Sequence, residues 1–251
     1  MSIHSGLVTL LLSALFAYPA YACDKPLRVG WDDWPPYHFR SDKGEIQGFA
    51  VEVLQSVAGE MGCKIDFRER PWKRQLQELQ SGEADIAMEA YYNEERGKIA
   101  YFSDSYSPSM AKLWIPKDAK VTANSIGSLL DNGFILGVTK DFYYGPEVQK
   151  RLSDKHIQPV LSEQTNYNKL QKKRIHGFLG DWLATTWGLK QRGLEKEIVR
   201  SPLPIYSAPA FFMLSRKNLS PDFVSQFNRA LAKLKHNGRY QQILDKYTKV
   251  E

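Results

Sequence analysis

The sequence has few of the features that would assign a protein to a specialised class before any motif is read. It contains only 2 cysteines and 5 histidines in 251 residues, and their positions show no spacing typical of metal ligands. The motifs G-x-S-x-G, G-x-x-x-x-G-K-[ST] and G-x-G-x-x-G are absent, which removes the common signatures of serine hydrolases, P-loop proteins and dinucleotide-binding proteins. We therefore expect neither a metal nor a cofactor.

Charge of one sign is not in strong excess. The chain has 34 Lys and Arg against 28 Asp and Glu, a net charge of +6. Basic residues are mixed with acidic ones, as in Arg68-Glu69-Arg70, whereas nucleic-acid binding requires a concentrated basic stripe. With 43% hydrophobic and 25% charged residues, the composition is typical of a globular protein. We expect a monomer that binds no nucleic acid.

The first 22 residues contain no Asp, Glu, Lys or Arg. They include an apolar run from Leu7 to Ala17 and end in A-Y-A, which matches an A-x-A cleavage site. This run is about half of the roughly 20 residues that a membrane-spanning helix needs. Residues 1–22 therefore read as a secretory signal peptide, and we expect the mature protein in the periplasm.

Both cysteines remain after cleavage, and export exposes them to an oxidising compartment. We therefore expect a Cys23–Cys63 disulfide. Cys23 precedes a predicted strand at 27–30 and Cys63 precedes one at 64–67, so the bridge would join two neighbouring parallel strands at their starts. A lipid anchor on Cys23 is the alternative, and the bulky Tyr21 disfavours it because a lipobox has a small residue there.

Predicted strands and helices alternate along the mature chain, which favours an α/β protein with a parallel sheet. Apolar residues recur at helical spacing from Ala50 to Met61, and a second set of elements includes a strand predicted at Ile175–Leu179. Proline-rich breaks near Pro108 and at Ser201–Pro204 separate the two sets. The pattern predicts two lobes, with the second inserted into the first.

The order of several motifs identifies a family. The motifs are L-R-V-G-W-D-D-W-P-P-Y, G-E-I-Q-G-F-A-V-E-V-L, R-P-W-K-R-Q-L-Q-E-L-Q-S-G-E-A-D-I-A, N-E-E-R with Y-F-S-D-S-Y, R-I-H-G-F-L-G-D-W-L-A and A-L-A-K-L-K-H-N-G-R-Y-Q-Q-I-L-D-K-Y. In this order they resemble the bacterial extracellular solute-binding proteins of family 3, the polar amino-acid receptors of ABC importers. The resemblance covers essentially all of the mature chain.

The resemblance implies a two-lobe α/β fold of the type II periplasmic binding protein kind, with the ligand cleft between the lobes. We place lobe 1 in residues 23–108 and 208–251 and lobe 2 in residues 109–207. The implied function is capture of a small polar solute, an amino acid or a related compound, by lobe closure. The implied partner is the permease of an ABC importer, and no enzymatic step is expected.

Two charged residues match the family's amino-acid clamp. In the family an arginine of the first lobe binds the α-carboxylate, and the matching residue is Arg96. A guanidinium suits this role because its planar fork donates two parallel hydrogen bonds. An aspartate of the second lobe receives the α-ammonium, and Asp181 matches it. The alternatives are a surface pair of Arg96 with Glu94 or Glu95, and a helix N-cap role for Asp181.

Aromatic residues complete the pocket that the resemblance implies. Trp34 matches an aromatic that covers the ligand side chain, and Trp72 matches a wall residue. Large flat side chains exclude water and stack on apolar or cationic groups. Core packing is the alternative for both tryptophans.

Two segments depart from the family pattern. The segment 88–92 replaces a small hydroxyl residue and contributes Glu89 and Tyr91 as candidate ligand residues. The segment 141–145 replaces an anion-binding loop and contributes Tyr143. Glu89 would either pair with Arg96 or face a cationic group of the ligand.

Two other functions remain open on this scaffold. Cyclohexadienyl dehydratases resemble the family, and such an enzyme needs a general acid in a dry cleft, for which Glu89 is the candidate. A ligand-sensing receptor subunit is the other alternative function.

Overall fold

The structure is a computed structural model that describes residues 23–140 and 142–248. The predicted signal peptide, residues 1–22, lies outside these residues, and so does Asp141. No helix in the described part of the chain is both long and apolar enough to cross a lipid bilayer.

Strands and helices alternate through the described residues. The strands are β1 Leu27–Trp31, β2 Phe39–Arg40, β3 Ile46–Gln47, β4 Ile65–Glu69, β5 Ile86–Ala90, β6 Ala100–Phe102, β7 Ser107–Pro116, β8 Leu136–Thr139, β9 Ile157–Val160, β10 Gly177–Asp181 and β11 Ile198–Ser215. The helices are α1 Phe49–Glu60, α2 Trp72–Ser81, α3 Glu94–Ile99, α4 Ile126–Asp131, α5 Pro146–Lys150, α6 Glu163–Gln171, α7 Trp182–Lys190, α8 Pro221–His236 and α9 Arg239–Thr248.

Strand pairing runs in the order β4-β1-β5-β11-β7-β10-β8-β9, with β6 added to β11 and a separate β2–β3 pair. The pairs β4–β1, β1–β5, β10–β8 and β8–β9 are parallel, as the alternating pattern predicts. The long strands β7 and β11 are antiparallel partners, and β11 also pairs with β5 through Phe211–Leu214. The two connections between the lobes are therefore themselves paired strands. The lobe boundaries given above remain a prediction.

Separate hydrophobic cores lie on the two sides of β7 and β11. One side buries Leu54 of α1 and Phe227 of α8, and the other buries Leu130 of α4 and Leu136 of β8. Helix α7 follows β10 but contributes Leu183 to the first core. Helix α7 therefore packs against the first core.

The predicted disulfide is confirmed. Cys23 and Cys63 are bonded, with their Cα atoms 5.2 Å apart. The bridge immediately precedes β1 and β4, which pair in parallel from Leu27 opposite Ile65.

Candidate functional site

The loop Asp32–His38 brings the first group of polar and aromatic side chains to the site. The N-terminus of α1 holds this loop, because Phe49 N donates to Pro36 O at 2.7 Å. Gly48 precedes the helix with φ 134°, and a Cβ there would lie 2.4 Å from Tyr37 O. Only glycine allows the loop and the helix to approach this closely.

Within this loop, His38 acts as an internal support. Its Nδ1 bonds to Asp32 O at 2.5 Å, and Trp34 N donates to His38 O at 2.8 Å. Burial lowers the pKa of His38, so the neutral ring is favoured and Nδ1 carries the hydrogen. These bonds fix the backbone on both sides of the Trp34 ring.

A cavity of about 470 Å³ opens beside this loop and is lined from both lobes. All seven residues proposed from the sequence line it: Trp34, Trp72, Glu89, Tyr91, Arg96, Tyr143 and Asp181. The structure brings these residues together, and their role in ligand binding stays a prediction. A larger depression of about 700 Å³, lined by Lys112 and Arg200 among others, contains none of them.

Arg96 lies in the first turn of α3, where the side chain of Asn93 accepts a bond from its backbone N. Its Nη1 donates to Tyr91 O at 2.8 Å, and its guanidinium lies 5.1 Å from the centre of the Trp72 ring. Among the described residues it forms no ion pair, and Glu95 pairs with Lys98 instead. Burial lowers the pKa of Arg96, but an arginine stays charged. The surface pairing considered above is absent.

Asp181 ends β10 and caps α7 at the same time. Its Oδ1 accepts hydrogen bonds from Leu183 N and Ala184 N, both at 3.0 Å. The same oxygen accepts from the hydroxyl of Tyr37 at 2.8 Å. Burial and the charge of Asp181 raise the pKa of Tyr37, so the hydroxyl remains a donor. The N-cap role is real, and it places the carboxylate at the cavity wall.

Glu89 lies near the end of β5 with a positive φ of 51°. Its side chain is 6% exposed, and neither carboxyl oxygen makes a hydrogen bond to another described residue. Burial raises the pKa of Glu89 to about 8, and the charge of Asp181 adds to the shift, against a smaller opposing effect of the nearby Tyr106 and Ser107 hydroxyls. No ion pair joins Glu89 to Arg96 in the described part of the chain. The protonated acid therefore predominates at neutral pH.

Aromatic rings from both lobes surround the opening. Trp34 meets Phe142 edge to face at 6.2 Å, and Tyr143 meets Tyr206 in the same way at 5.2 Å. Phe142 and Tyr143 are 37% and 46% exposed, which places these two rings at the surface end of the cavity. Rings in this position can cover a ligand and exclude water.

Sequence reasoning missed other residues that line the cavity: Asp32, Asp33, His38, Met88, Ala111, Phe142, Tyr144 and Tyr206. The acidic pair and His38 lie in the same motif as Trp34, and Phe142 and Tyr144 flank Tyr143, so proximity in the chain was an available signal. Ala111 and Tyr206 lie on β7 and β11. Their position depends on strand pairing, and no local signal marks them.

Comparisons with known proteins agree with this architecture. The family model described as bacterial extracellular solute-binding proteins, family 3, matches residues 27–250. An arginine-binding periplasmic protein of Mannheimia haemolytica is 28% identical, over 94% of this chain and 97% of its own length. A probable histidine-binding protein of Neisseria gonorrhoeae is 26% identical, over 92% of this chain and 86% of its own length. An ancestral cationic amino acid solute-binding protein has a similar structure, with a TM-score of 0.74 at 22% identity over 89% of this chain and 96% of that one.

Proposed function

Because the chain belongs to family 3 of the bacterial extracellular solute-binding proteins, we propose that it captures a free amino acid between its lobes for an ABC importer. The observation that carries this proposal is the cavity itself, whose lining includes both Arg96 and Asp181. An α-amino acid has a carboxylate and an ammonium that match this pair in sign.

The roles of the side chains follow from their chemistry. Arg96 binds the α-carboxylate, since its guanidinium is charged and forms no ion pair with a described residue. Asp181 binds the α-ammonium from the end of β10. Trp34, Trp72 and Tyr143 form the walls that cover the ligand, and Tyr91 supports Arg96 through its carbonyl oxygen.

Charge favours a cationic amino acid over a neutral one. Besides the protonated Glu89, the cavity lining contains three acidic residues, Asp32, Asp33 and Asp181, but a single arginine and, among the described residues, no lysine. A ligand that adds positive charge reduces this imbalance. The similarity to an arginine-binding protein supports the same choice.

Movement of the lobes gives access to the cavity in this proposal. We place the lobes at 23–108 with 208–251 and at 109–207, connected through β7 and β11. Closure buries the ligand and presents the closed form to a permease. A monomer suffices, since both sides of the cavity come from one chain.

We also propose that the protein works in the periplasm without a lipid anchor. The family is extracellular by description. The sulfur of Cys23 is bonded to Cys63 and cannot carry a diacylglyceryl group at the same time. Mass spectrometry of the exported, unreduced protein tests this: a diacylglyceryl mass on Cys23 would contradict it.

A thermal-shift screen of the exported chain against the twenty amino acids, ornithine and citrulline tests the proposed function. A ligand that binds only the folded state stabilises it by about 2.7 kcal/mol at a concentration of a hundred times Kd. We expect the largest shift in melting temperature with a cationic amino acid. If no amino acid shifts it, the proposed function is wrong.

Turnover is the competing function, and the protonated Glu89 is the observation that favours it. A dehydratase needs such an acid beside its substrate. Incubation with prephenate and with arogenate, followed by detection of the aromatic product, separates the two functions. We expect no product, and measurable turnover that disappears in Glu89→Gln would establish the enzyme instead.

A further inference from the structure

We propose that Glu89 recognises a second cationic nitrogen of the ligand, on its side chain, and loses a proton when that nitrogen binds. This inference rests on the proposed function, because it assigns the α-carboxylate to Arg96 and the α-ammonium to Asp181. With those two groups engaged, three acidic residues of the lining remain for the rest of the ligand, Asp32, Asp33 and Glu89, and Glu89 is the buried one among them.

The burial of Glu89 is the first observation that carries this assignment. Glu89 is 6% exposed and both of its carboxyl oxygens are buried, and such a group usually has partners, since an unsatisfied buried polar group costs about 1–3 kcal/mol or more. Both Glu89 oxygens lack a hydrogen bond to any described residue, and the side chain lines the cavity. A ligand that enters the cavity can supply the missing partner.

The backbone conformation of Glu89 is the second observation that supports a role in ligand binding. Its φ of 51° is in the left-handed region, which costs a residue with a side chain about 1 kcal/mol or more. Among the described residues, no hydrogen bond to the carboxyl oxygens offsets this cost. Strain of this kind collects at ligand sites, where the arrangement of the side chain matters more than stability.

The surroundings of Glu89 explain why the proton leaves only when a cation arrives. The hydroxyls of Tyr106, just before β7, and of Ser107, its first residue, lie near the carboxyl group and lower its pKa. Tyr37 of the loop, Asp181 of β10 and Tyr240 of α9 also face it, and each is neutral or negative.

Arg96 lines the same cavity but forms no ion pair with Glu89. Nothing positive therefore stabilises the carboxylate among the described residues, which agrees with a pKa of about 8 for Glu89. A cationic nitrogen from the ligand supplies that charge, and the O–H proton of Glu89 passes to the buffer.

Calorimetry of the exported protein with two ligands of equal length tests the assignment. L-arginine carries a charged guanidinium, whereas L-citrulline carries a neutral urea of nearly the same shape. Titrations at pH 7 in phosphate and in Tris, which differ in ionisation enthalpy, give the number of protons released. We expect about 0.9 proton released with L-arginine, since a group with a pKa near 8 is mostly protonated at pH 7, and none with L-citrulline. The release with L-arginine should fall toward zero above pH 9.

Variants assign the proton to Glu89. Glu89→Gln should abolish proton release and weaken L-arginine at least about tenfold, with little effect on L-citrulline. Glu94→Gln, an exposed acid on the neighbouring helix, is the matched control and should leave both properties unchanged. The wild-type titrations stand on their own if Glu89→Gln does not fold.

The outcomes separate this inference from the function on which it rests. Binding of L-arginine without proton release, equal affinity for L-citrulline, or release that persists in Glu89→Gln would overturn the role of Glu89 and leave amino-acid capture intact. Failure of every amino acid to bind would overturn both.

Discussion

At the scale of single residues, the two charges proposed to hold the ligand also take part in local structure. Arg96 lies in the first turn of α3 and bonds to Tyr91 O, while Asp181 caps α7. Helix ends suit this purpose because a capping carboxylate or a first-turn side chain is fixed by backbone bonds before any ligand arrives. Removing either charge should therefore change binding more than folding.

Arg96→Ala should reduce amino-acid affinity by thirtyfold or more. Truncating one member of a desolvated charge pair costs about 2–5 kcal/mol, and 1.4 kcal/mol is a factor of ten in Kd. Calorimetry with the best ligand of the thermal-shift screen measures the change. Lys98→Ala on the same helix is the control, since Lys98 is exposed and, among the described residues, forms an ion pair with Glu95 alone. Unchanged affinity in Arg96→Ala would contradict the proposal that the protein binds an amino acid, and would not affect the assignment of the fold.

Asp181→Asn should weaken ligands that carry an α-ammonium far more than carboxylates that lack one. Asparagine caps a helix about as well as aspartate, so α7 should remain folded. Paired titrations with an amino acid and its des-amino analogue measure the difference. Equal losses for the two compounds would show that Asp181 acts by shaping the cavity and does not contact the ammonium.

The sequence allowed Arg96 and Asp181 to be proposed as ligand residues, because each lies in one of the motifs whose order along the chain resembles that of the family. It was uninformative about Tyr37, whose hydroxyl reaches Asp181 from 144 positions away. Such a contact depends on how the two lobes meet. It could not be predicted from the local pattern around W-P-P-Y.

At the scale of elements, the contact between α1 and the loop Asp32–His38 positions one side of the cavity. The helix supplies its first N–H groups to the loop carbonyls, which satisfies donors that would otherwise lack partners. Gly48 makes this contact possible, since a Cβ there would collide with Tyr37 O.

Gly48→Ala should destabilise the fold by about 1–3 kcal/mol and weaken ligand binding together. The added Cβ meets backbone atoms, and the φ of 134° is strained for any other residue. Gly59→Ala in the same helix is the matched control, because nothing lies within 4 Å of its added Cβ. That change should stabilise α1 by roughly 0.5–1 kcal/mol. Urea unfolding and calorimetry on both variants measure the contrast, and equal effects would contradict the role of Gly48.

Element boundaries show where local patterns are insufficient. The strand predicted at Ile175–Leu179 lies at Gly177–Asp181, two residues later. Pairing with β7 extends from Phe178 to Asp181 and sets this position. The shift matters for function, because it places Asp181 at the end of a strand and at the start of α7.

At the scale of the whole molecule, stability and the ligand site are linked through buried acids. Burial raises the pKa of Glu89 to about 8 and that of Glu163 to about 7, from an ordinary value of 4.5. Because the folded state binds these protons more tightly than the unfolded state does, each acid adds to the free energy of unfolding when the pH is below its ordinary pKa of 4.5. This contribution is lost as the pH rises through the pKa of the folded state.

The free energy of unfolding of the unliganded protein should carry a contribution that falls between about pH 5 and pH 8. Each such group contributes up to about 1.4 kcal/mol per pH unit. Subtracting the profile of Glu89→Gln from that of the wild type isolates Glu89, because other groups, including His38, cancel. The free energy of unfolding of Glu89→Gln should increase relative to that of the wild type as the pH rises. Parallel profiles from urea unfolding at pH 5.5, 7 and 8.5 would contradict the assigned pKa.

Removal of the disulfide should lower stability without abolishing ligand binding. The bridge spans 40 positions of the chain, neither cysteine is among the residues that line the cavity, and loss of the bridge should cost about 2–4 kcal/mol. The double variant Cys23→Ser with Cys63→Ser, compared with wild type by urea unfolding, measures the cost. The bridge was predictable from composition and compartment, whereas the continuous pairing of β7 with β11 was not, since it depends on distant segments.

Under the proposed function, the hydrogen bond from Tyr37 to Asp181 has a consequence for an ABC importer that the protein serves. It joins residues of the two predicted lobes with protein atoms alone, so we expect it to favour closure whether or not a ligand is present. A bond to a charged acceptor contributes about 1.5–3 kcal/mol, which raises the population of the closed form roughly ten- to hundredfold. We expect the importer to meet closed receptors without cargo some of the time, and to spend ATP on these encounters. Tyr37→Phe should lower that idle ATP hydrolysis in reconstituted vesicles.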